Sequence, residues 1–208
     1  MHTLLTLLGI LAVLALGVVS PGPSFVLVAR TAVAVSRRAG LAAAAGMATG
    51  ATLLCTAALL GLHALFQQIP EIYLVLKIGG GVYLLVLARR IWRGAATPLV
   101  VGPPRETHAP GLMRQFTLAA GTMLSNPKAA VQYGVIFAAV LPQEPSQALL
   151  LALPPAVFCL EAGWYAVVAC GLSSARPRSV YLRAKAGLDR AVGAVLVALG
   201  IKLLLSAR

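Results

Sequence analysis

The stretch TLLTLLGILAVLALGVVSPGPSFVLVA, residues 3–29, decides the fold. It runs for 27 positions without a charged residue, longer than the roughly 20 apolar residues an α-helix needs to cross the hydrocarbon of a bilayer. Pro21-Gly22-Pro23 nevertheless interrupts it, because proline has no amide hydrogen to donate and glycine takes conformations closed to other residues. A helix broken inside hydrocarbon leaves N–H and C=O groups that protein, water or a solute must satisfy. The segment therefore predicts a membrane span that breaks beside a lined cavity. It lacks a basic leader and a small-x-small cleavage site, so it reads as a retained first span rather than a signal peptide.

The rest of the chain repeats the theme. Of its 208 residues 60% are hydrophobic and 11% charged, against roughly 25% charged in a soluble domain, and the mean hydropathy is +0.91. Apolar segments fall at about 3–29, 40–66, 70–88, 115–141, 147–172 and 189–206. The expected fold is an all-α polytopic membrane protein of about six transmembrane helices, forming a single transmembrane domain over 1–208. Its halves would span about 1–93 and 115–208, joined by a loop at about 94–114. The wider connector 89–114 holds Arg89, Arg90, Arg93, Arg105 and Arg114 with Pro98, Pro103, Pro104 and Pro110, and reads as irregular.

Charge sets the orientation. The first, third and fifth connectors hold three (Arg30, Arg37, Arg38), five (those above) and five (Arg176, Arg178, Arg183, Lys185, Arg190) basic residues, 13 of the 17 in the chain. The second and fourth, HALFQQIPEIY (63–73) and PQEPSQ (142–147), hold none. The positive-inside rule then places both termini outside an inner membrane. It also accounts for the +12 net charge without a nucleic-acid partner, since no basic folded surface is formed.

The fourth segment also breaks, at Asn126-Pro127, where asparagine suits an N-cap and proline the first helical position. Pro21 and Pro127 stand 106 residues apart, each in the opening span of a three-span half. Two inverted three-helix repeats with broken first helices would explain this, as would two unrelated proline kinks. The glycines at 79–81, Gly193 and Gly200 suit close helix approach.

Three stretches carry candidate chemistry. At Pro21, Gly22, Pro23 and Ser24 a restarting helix presents N–H groups and a positive dipole end suited to a carboxylate, with Ser24 either capping or touching the ligand. Lys128 follows the second break in an otherwise apolar span. A charge there costs about 2.5–3.5 kcal/mol on insertion scales, so it faces a cavity or partner, or snorkels to an interface. Glu161, in PAVFCLEAGWYAVVACG (155–171), is an intramembrane carboxylate able to bind an ammonium, carry a proton or pair with Lys128. Trp164 and Tyr165 lie about one turn further on and suit either packing or substrate contact. Lys77 reads as snorkelling. Cys55, Cys159 and Cys170 and His2, His63 and His108 show no metal-ligand spacing, and no Walker motif or catalytic set is visible, so no metal or cofactor is expected.

PGPSFVLVARTAVAVSRRAGLAAAAGMATG (21–50), KIGGGVYLLVLARRIWRG (77–94), SNPKAAVQYGVIFAAVLPQ (125–143) and LDRAVGAVLVALGIKLLL (188–205) together resemble the LysE/RhtB family of amino-acid exporters over nearly the whole chain. The resemblance implies secondary export of amino acids or similar zwitterions, with H+ antiport. Gly22, Pro23, Ser24, Asn126, Glu161 and Tyr165 would then bind substrate, and Glu161 and Lys128 would serve as coupling or charge partners. Gln132 and Tyr133 depart from the family's apolar stretch and imply an altered pocket. A homodimer is plausible from the small-residue faces. A membrane-embedded enzyme using Glu161, Lys128 and His63 or His108, or a non-transporting membrane partner, are the rival readings.

Overall fold

The computed structural model describes residues 2–19, 22–68, 70–95, 111–142, 144–172 and 175–205, all helical apart from short joints. Eight helices follow one another: α1 (His2–Val19), α2 (Pro23–Ala34), α3 (Arg37–Gln68), α4 (Pro70–Gly94), α5 (Leu112–Leu124), α6 (Pro127–Val140), α7 (Gln147–Leu172) and α8 (Ala175–Leu205). The six apolar segments thus become six helical rods. Two of these are broken where the sequence breaks them, α1/α2 at Gly22 and α5/α6 at Ser125-Asn126. The α1/α2 rod bends by 60°.

By length and apolarity Arg37–Leu62 and Gln147–Gly171 each suffice to cross a membrane, and the bent α1/α2 pair meets the same measure when its two helices are taken together. The α4 and α8 helices, 25 and 31 residues long, exceed the crossing length but carry more charge. Leu4, Leu8, Leu53, Leu60, Leu118, Leu151 and Val167 stand exposed around the outside, where a bilayer replaces water as solvent.

Helix boundaries differ from expectation at the basic connectors. The expected irregular stretch 89–114 is helical at both ends: α4 runs through Arg89, Arg90 and Arg93 to Gly94, and Arg114 already belongs to α5. The residues between, 96–110, which include His108, lie outside the described residues, as do Pro21 and the side chains of His2, Pro23, His63 and Lys77. Arg30 sits on α2 and not in a connector. The last helix begins at Ala175, not near 189, so Arg176, Arg178, Arg183 and Lys185 belong to α8. Basic residues are good helix formers, so a helix leaving the membrane has no local reason to stop at the first of them.

Small residues set the packing. Against α5, Gly46 and Gly50 lie so close that a Cβ at Gly46 would overlap the Phe116 carbonyl oxygen and one at Gly50 would stand 2.8 Å from the Ala120 carbonyl oxygen. Without a hydrophobic drive between helices in lipid, such backbone approach is what dispersion contacts require. Gly81 and Gly200 do the same for α4 and α8, each placing a Cβ position 3.0 Å from the other's carbonyl oxygen, while Gly79 meets nothing.

A large core joins α1, α2, α3, α6 and α7 around Phe25, Met47, Phe137 and Leu153. A second binds α4 to α8 through Leu84, Leu87, Val192, Leu196 and Leu203, with Val135 of α6 inserted. Several pairings exchange when the halves are exchanged: α3 lies on α5 as α7 does on α1, α2 on α7 as α6 on α3, while α3 pairs with α7 and α4 with α8 across the halves. The exchange is incomplete, since α4 packs on α6 and α2 on α3 without counterparts among the described residues.

Candidate functional site

The two breaks meet. Gly22, in extended backbone at φ −143° and ψ −169°, caps α2 without side-chain help, and its carbonyl accepts the first helical bond from Val26 N at 3.0 Å. Asn126 caps α6 with its side chain, Oδ1 accepting from Lys128 N at 3.1 Å, and Pro127 takes the first helical position, where a missing N–H costs nothing. The other end of the Asn126 amide, Nδ2, donates to Ser24 Oγ at 3.2 Å. Ser24 is therefore neither the cap of its own helix nor an open contact. It is buried and joins one broken span to the other.

Below this joint lies a cavity of about 40 Å³ lined by Gly22, Ser24, Asn126, Lys128, Tyr133, Glu161 and Tyr165, among others. At roughly 10–15 Å³ per enclosed water it holds about three waters, far below the ~300–1,000 Å³ usual for small-molecule sites. In this conformation the cavity is too small to hold an amino acid.

Glu161 enters from α7, only 3% exposed. Its Oε1 accepts from Tyr133 OH at 2.8 Å, while Oε2, equally buried, has no hydrogen-bond partner. Tyr133 comes from α6 and lies beside Phe137, ring centroids 5.9 Å apart. Lys128, on the first turn of α6, brings its Nζ to 3.8 Å from where a Cβ on Gly22 would stand. It lines the same cavity as Glu161 without forming an ion pair with it; the ion pair among the described residues is Lys185–Asp189. Direct pairing of Lys128 with Glu161, one of the roles open from the sequence, is absent in this conformation.

The structure brings Gly22, Ser24, Asn126, Lys128, Glu161 and Tyr165 together at one cavity. Pro127 instead lines a separate open groove with Thr122 and Ser125, and Trp164 packs at the edge of the main core. Gln132 and Tyr133, singled out as departures, both line the cavity. Sequence reasoning missed Gly17, Val18, Phe25, Met123 and Ala129, which complete the walls. At Gly17 a Cβ would overlap the Gln132 side-chain amide, so the glycine is what lets that amide rest against α1. A glycine four residues before the proline break was the available signal.

Also missed was Asp189. Lys185 Nζ bonds Asp189 Oδ2 at 2.9 Å and, across to the end of α4, the Gly94 carbonyl at 3.0 Å and the Ala95 carbonyl at 3.5 Å. Lysine and aspartate at i and i+4 on one helix face each other, and this spacing was legible once α8 was known to start early.

A polytopic helical membrane protein with two broken spans meeting over a closed, charged cavity has the architecture of a solute translocator. Residues 15–207 match the family described as "LysE type translocator", and the chain belongs to that family. It is 28% identical over 188 residues to the threonine efflux protein of Escherichia coli K12, covering 90% of this chain and 91% of that one. To the threonine efflux protein of Salmonella typhi it is 30% identical over 190 residues, with the same shares covered. To the homoserine/homoserine lactone efflux protein of Salmonella typhimurium it is 30% identical over 135 residues, 64% of each chain. No solved structure matches the chain.

Proposed function

We propose that the protein exports an amino acid from the cytoplasm across the bacterial inner membrane by alternating access at the cavity between the two breaks. The observation that carries this reading is the open Oε2 of buried Glu161 in the same cavity as Lys128 and the N-terminus of α2, which no side chain caps. A zwitterion matches that pattern. Its ammonium would take Oε2, and its carboxylate would meet Lys128 and the positive end of α2, while the Asn126-capped end of α6 is already occupied by its own side chain. The relatives named for threonine and homoserine efflux point to a small hydroxylated amino acid as the first candidate.

Because the cavity holds only a few waters, binding requires one half to move relative to the other. The Ser24–Asn126 bond, a neutral hydrogen bond between the broken spans, is the natural place for them to part. In this reading 1–93 and 115–208 are the moving halves, the basic connectors are cytoplasmic and both termini lie outside. Glu161 has the chemistry to exchange substrate ammonium for a proton, which makes H+ the coupling ion. Everted vesicles expressing the protein should accumulate threonine when a proton gradient is imposed, and Glu161→Ala should abolish it. Conversion of the amino acid into another compound, or no movement of any amino acid, would replace this reading with an enzyme or a non-transporting partner.

A further inference from the structure

The ammonium and carboxylate of a zwitterion leave the Gln132 amide unengaged. Around it the neighbouring polar groups of the cavity are committed: the Ser24 hydroxyl accepts from Asn126, the Asn126 carbonyl oxygen caps α6, and the Tyr133 hydroxyl donates to Glu161. Gln132 lines the same cavity and is only 7% exposed, yet its amide makes no hydrogen bond among the described residues. Its place is set from the other half of the chain. The α1 helix packs on α6, and the amide rests in the gap that Gly17 leaves in α1 by having no Cβ. A buried amide left unpaired is costly, so cargo that fills the cavity must bond it or leave it stranded.

We infer that Gln132 is a specificity-determining residue: its amide bonds the side-chain hydroxyl of the cargo, so that neutral hydroxylated amino acids are selected over apolar ones of the same shape. The inference rests on the transport reading above. A glutamine amide carries donors and an acceptor on adjacent atoms, and a hydroxyl is both donor and acceptor, so either orientation of the pair is satisfied. A methyl group in the hydroxyl's place can do neither. A charged cargo side chain fits no better, because Glu161 and Lys128 match the two charges of the zwitterion and a third would be buried without a partner. Since the amide is carried by α6 and seated on α1, it reads the cargo across the two broken rods.

The test compares threonine with valine, which has the same shape but a methyl group where threonine has its hydroxyl. Uptake of each is measured in everted vesicles carrying the wild type, Gln132→Leu, Gln132→Met or Gln132→Asn, and thermal unfolding of each purified protein is followed in parallel. The wild type should prefer threonine by about tenfold or more, the difference lying mainly in the half-saturating concentration. Gln132→Leu should raise that concentration for threonine and lower it for valine, bringing the ratio close to one, and Gln132→Asn, which keeps a shorter amide, should recover part of the preference. Should Gln132→Leu not fold, Gln132→Met, which keeps the length of the side chain without its polar atoms, is read in the same way. A preference for threonine that survives in the folded apolar variant overturns the inference. So do equal losses for the two cargoes together with a lowered unfolding midpoint, which would make the amide a packing element between α1 and α6. A wild type that moves valine as readily as threonine overturns the inference and leaves the transport reading standing, whereas one that moves no amino acid overturns both.

Discussion

Replacing Tyr133 with phenylalanine removes one oxygen and nothing else from the cavity wall, and the consequence can be worked out. The lost bond is the 2.8 Å contact to Glu161 Oε1, and since Oε2 is already unpartnered, the carboxyl group would then be buried with no donor at all. A hydrogen bond to a charged group contributes about 1.5–3 kcal/mol, one between neutral groups about 0.5–1.5 kcal/mol. At ~2–4 °C per kcal/mol for a chain of this size, Tyr133→Phe should lower the unfolding midpoint in detergent by about 3–12 °C. In a Glu161→Gln background the same oxygen faces a neutral amide, and the loss should shrink to about 1–6 °C. The difference, a coupling of about 1 kcal/mol, is what a double-mutant cycle reads. Equal losses in the two backgrounds would show that the tyrosine hydroxyl does not hold a charged Glu161, and the charge pattern assigned to the binding site would fall.

The glycine contacts make a paired prediction: Gly46→Ala should destabilise the protein by about 1–3 kcal/mol because its Cβ meets backbone of α5, whereas Gly121→Ala, where nothing lies within 4 Å, should be neutral or stabilising by about 0.5–1 kcal/mol. Unfolding midpoints of the two variants check this directly. Asn126→Ala should cost about 0.5–2 kcal/mol for the cap and also free the Ser24 joint, while Asn126→Asp keeps the cap and loses only the donor to Ser24, so its unfolding midpoint should fall less. Gly17→Ala should leave folding largely intact but displace the Gln132 amide into the small cavity, raising the half-saturating substrate concentration measured in vesicle export.

The parts of the fold legible in the sequence are those written in short-range chemistry. Pro23 and Pro127 each deny a helix its next hydrogen bond, so both breaks appear where the prolines stand, and the apolar runs between them have no alternative to helix in lipid. Glu161 was conspicuous because an isolated carboxylate in such a run demands a partner. The partner itself was less evident: Tyr133 is 28 residues away, and only the tertiary fold, which turns side chains of α6 and α7 into one cavity, brings its hydroxyl to Glu161. Lys185 misled for a related reason. Counted among basic connector residues, it is instead carried into the interior by the early start of α8, where it captures the end of α4. Gly17 offered only its nearness to the proline break, since its role exists through the distant Gln132 side chain it accommodates.

The closed cavity bears on how such a protein chooses its cargo. A chamber that encloses room for about three waters cannot sort solutes by a fixed aperture, because no amino acid fits it as it stands. On the proposed alternating-access reading, selectivity becomes a matter of compliance: each candidate is accepted only if the contacts it makes exceed the work of prying the two broken rods apart. Larger cargo then meets a graded penalty rather than a wall, and softening the joint at Ser24 and Asn126 should widen the range of solutes carried while sacrificing discrimination among the small ones.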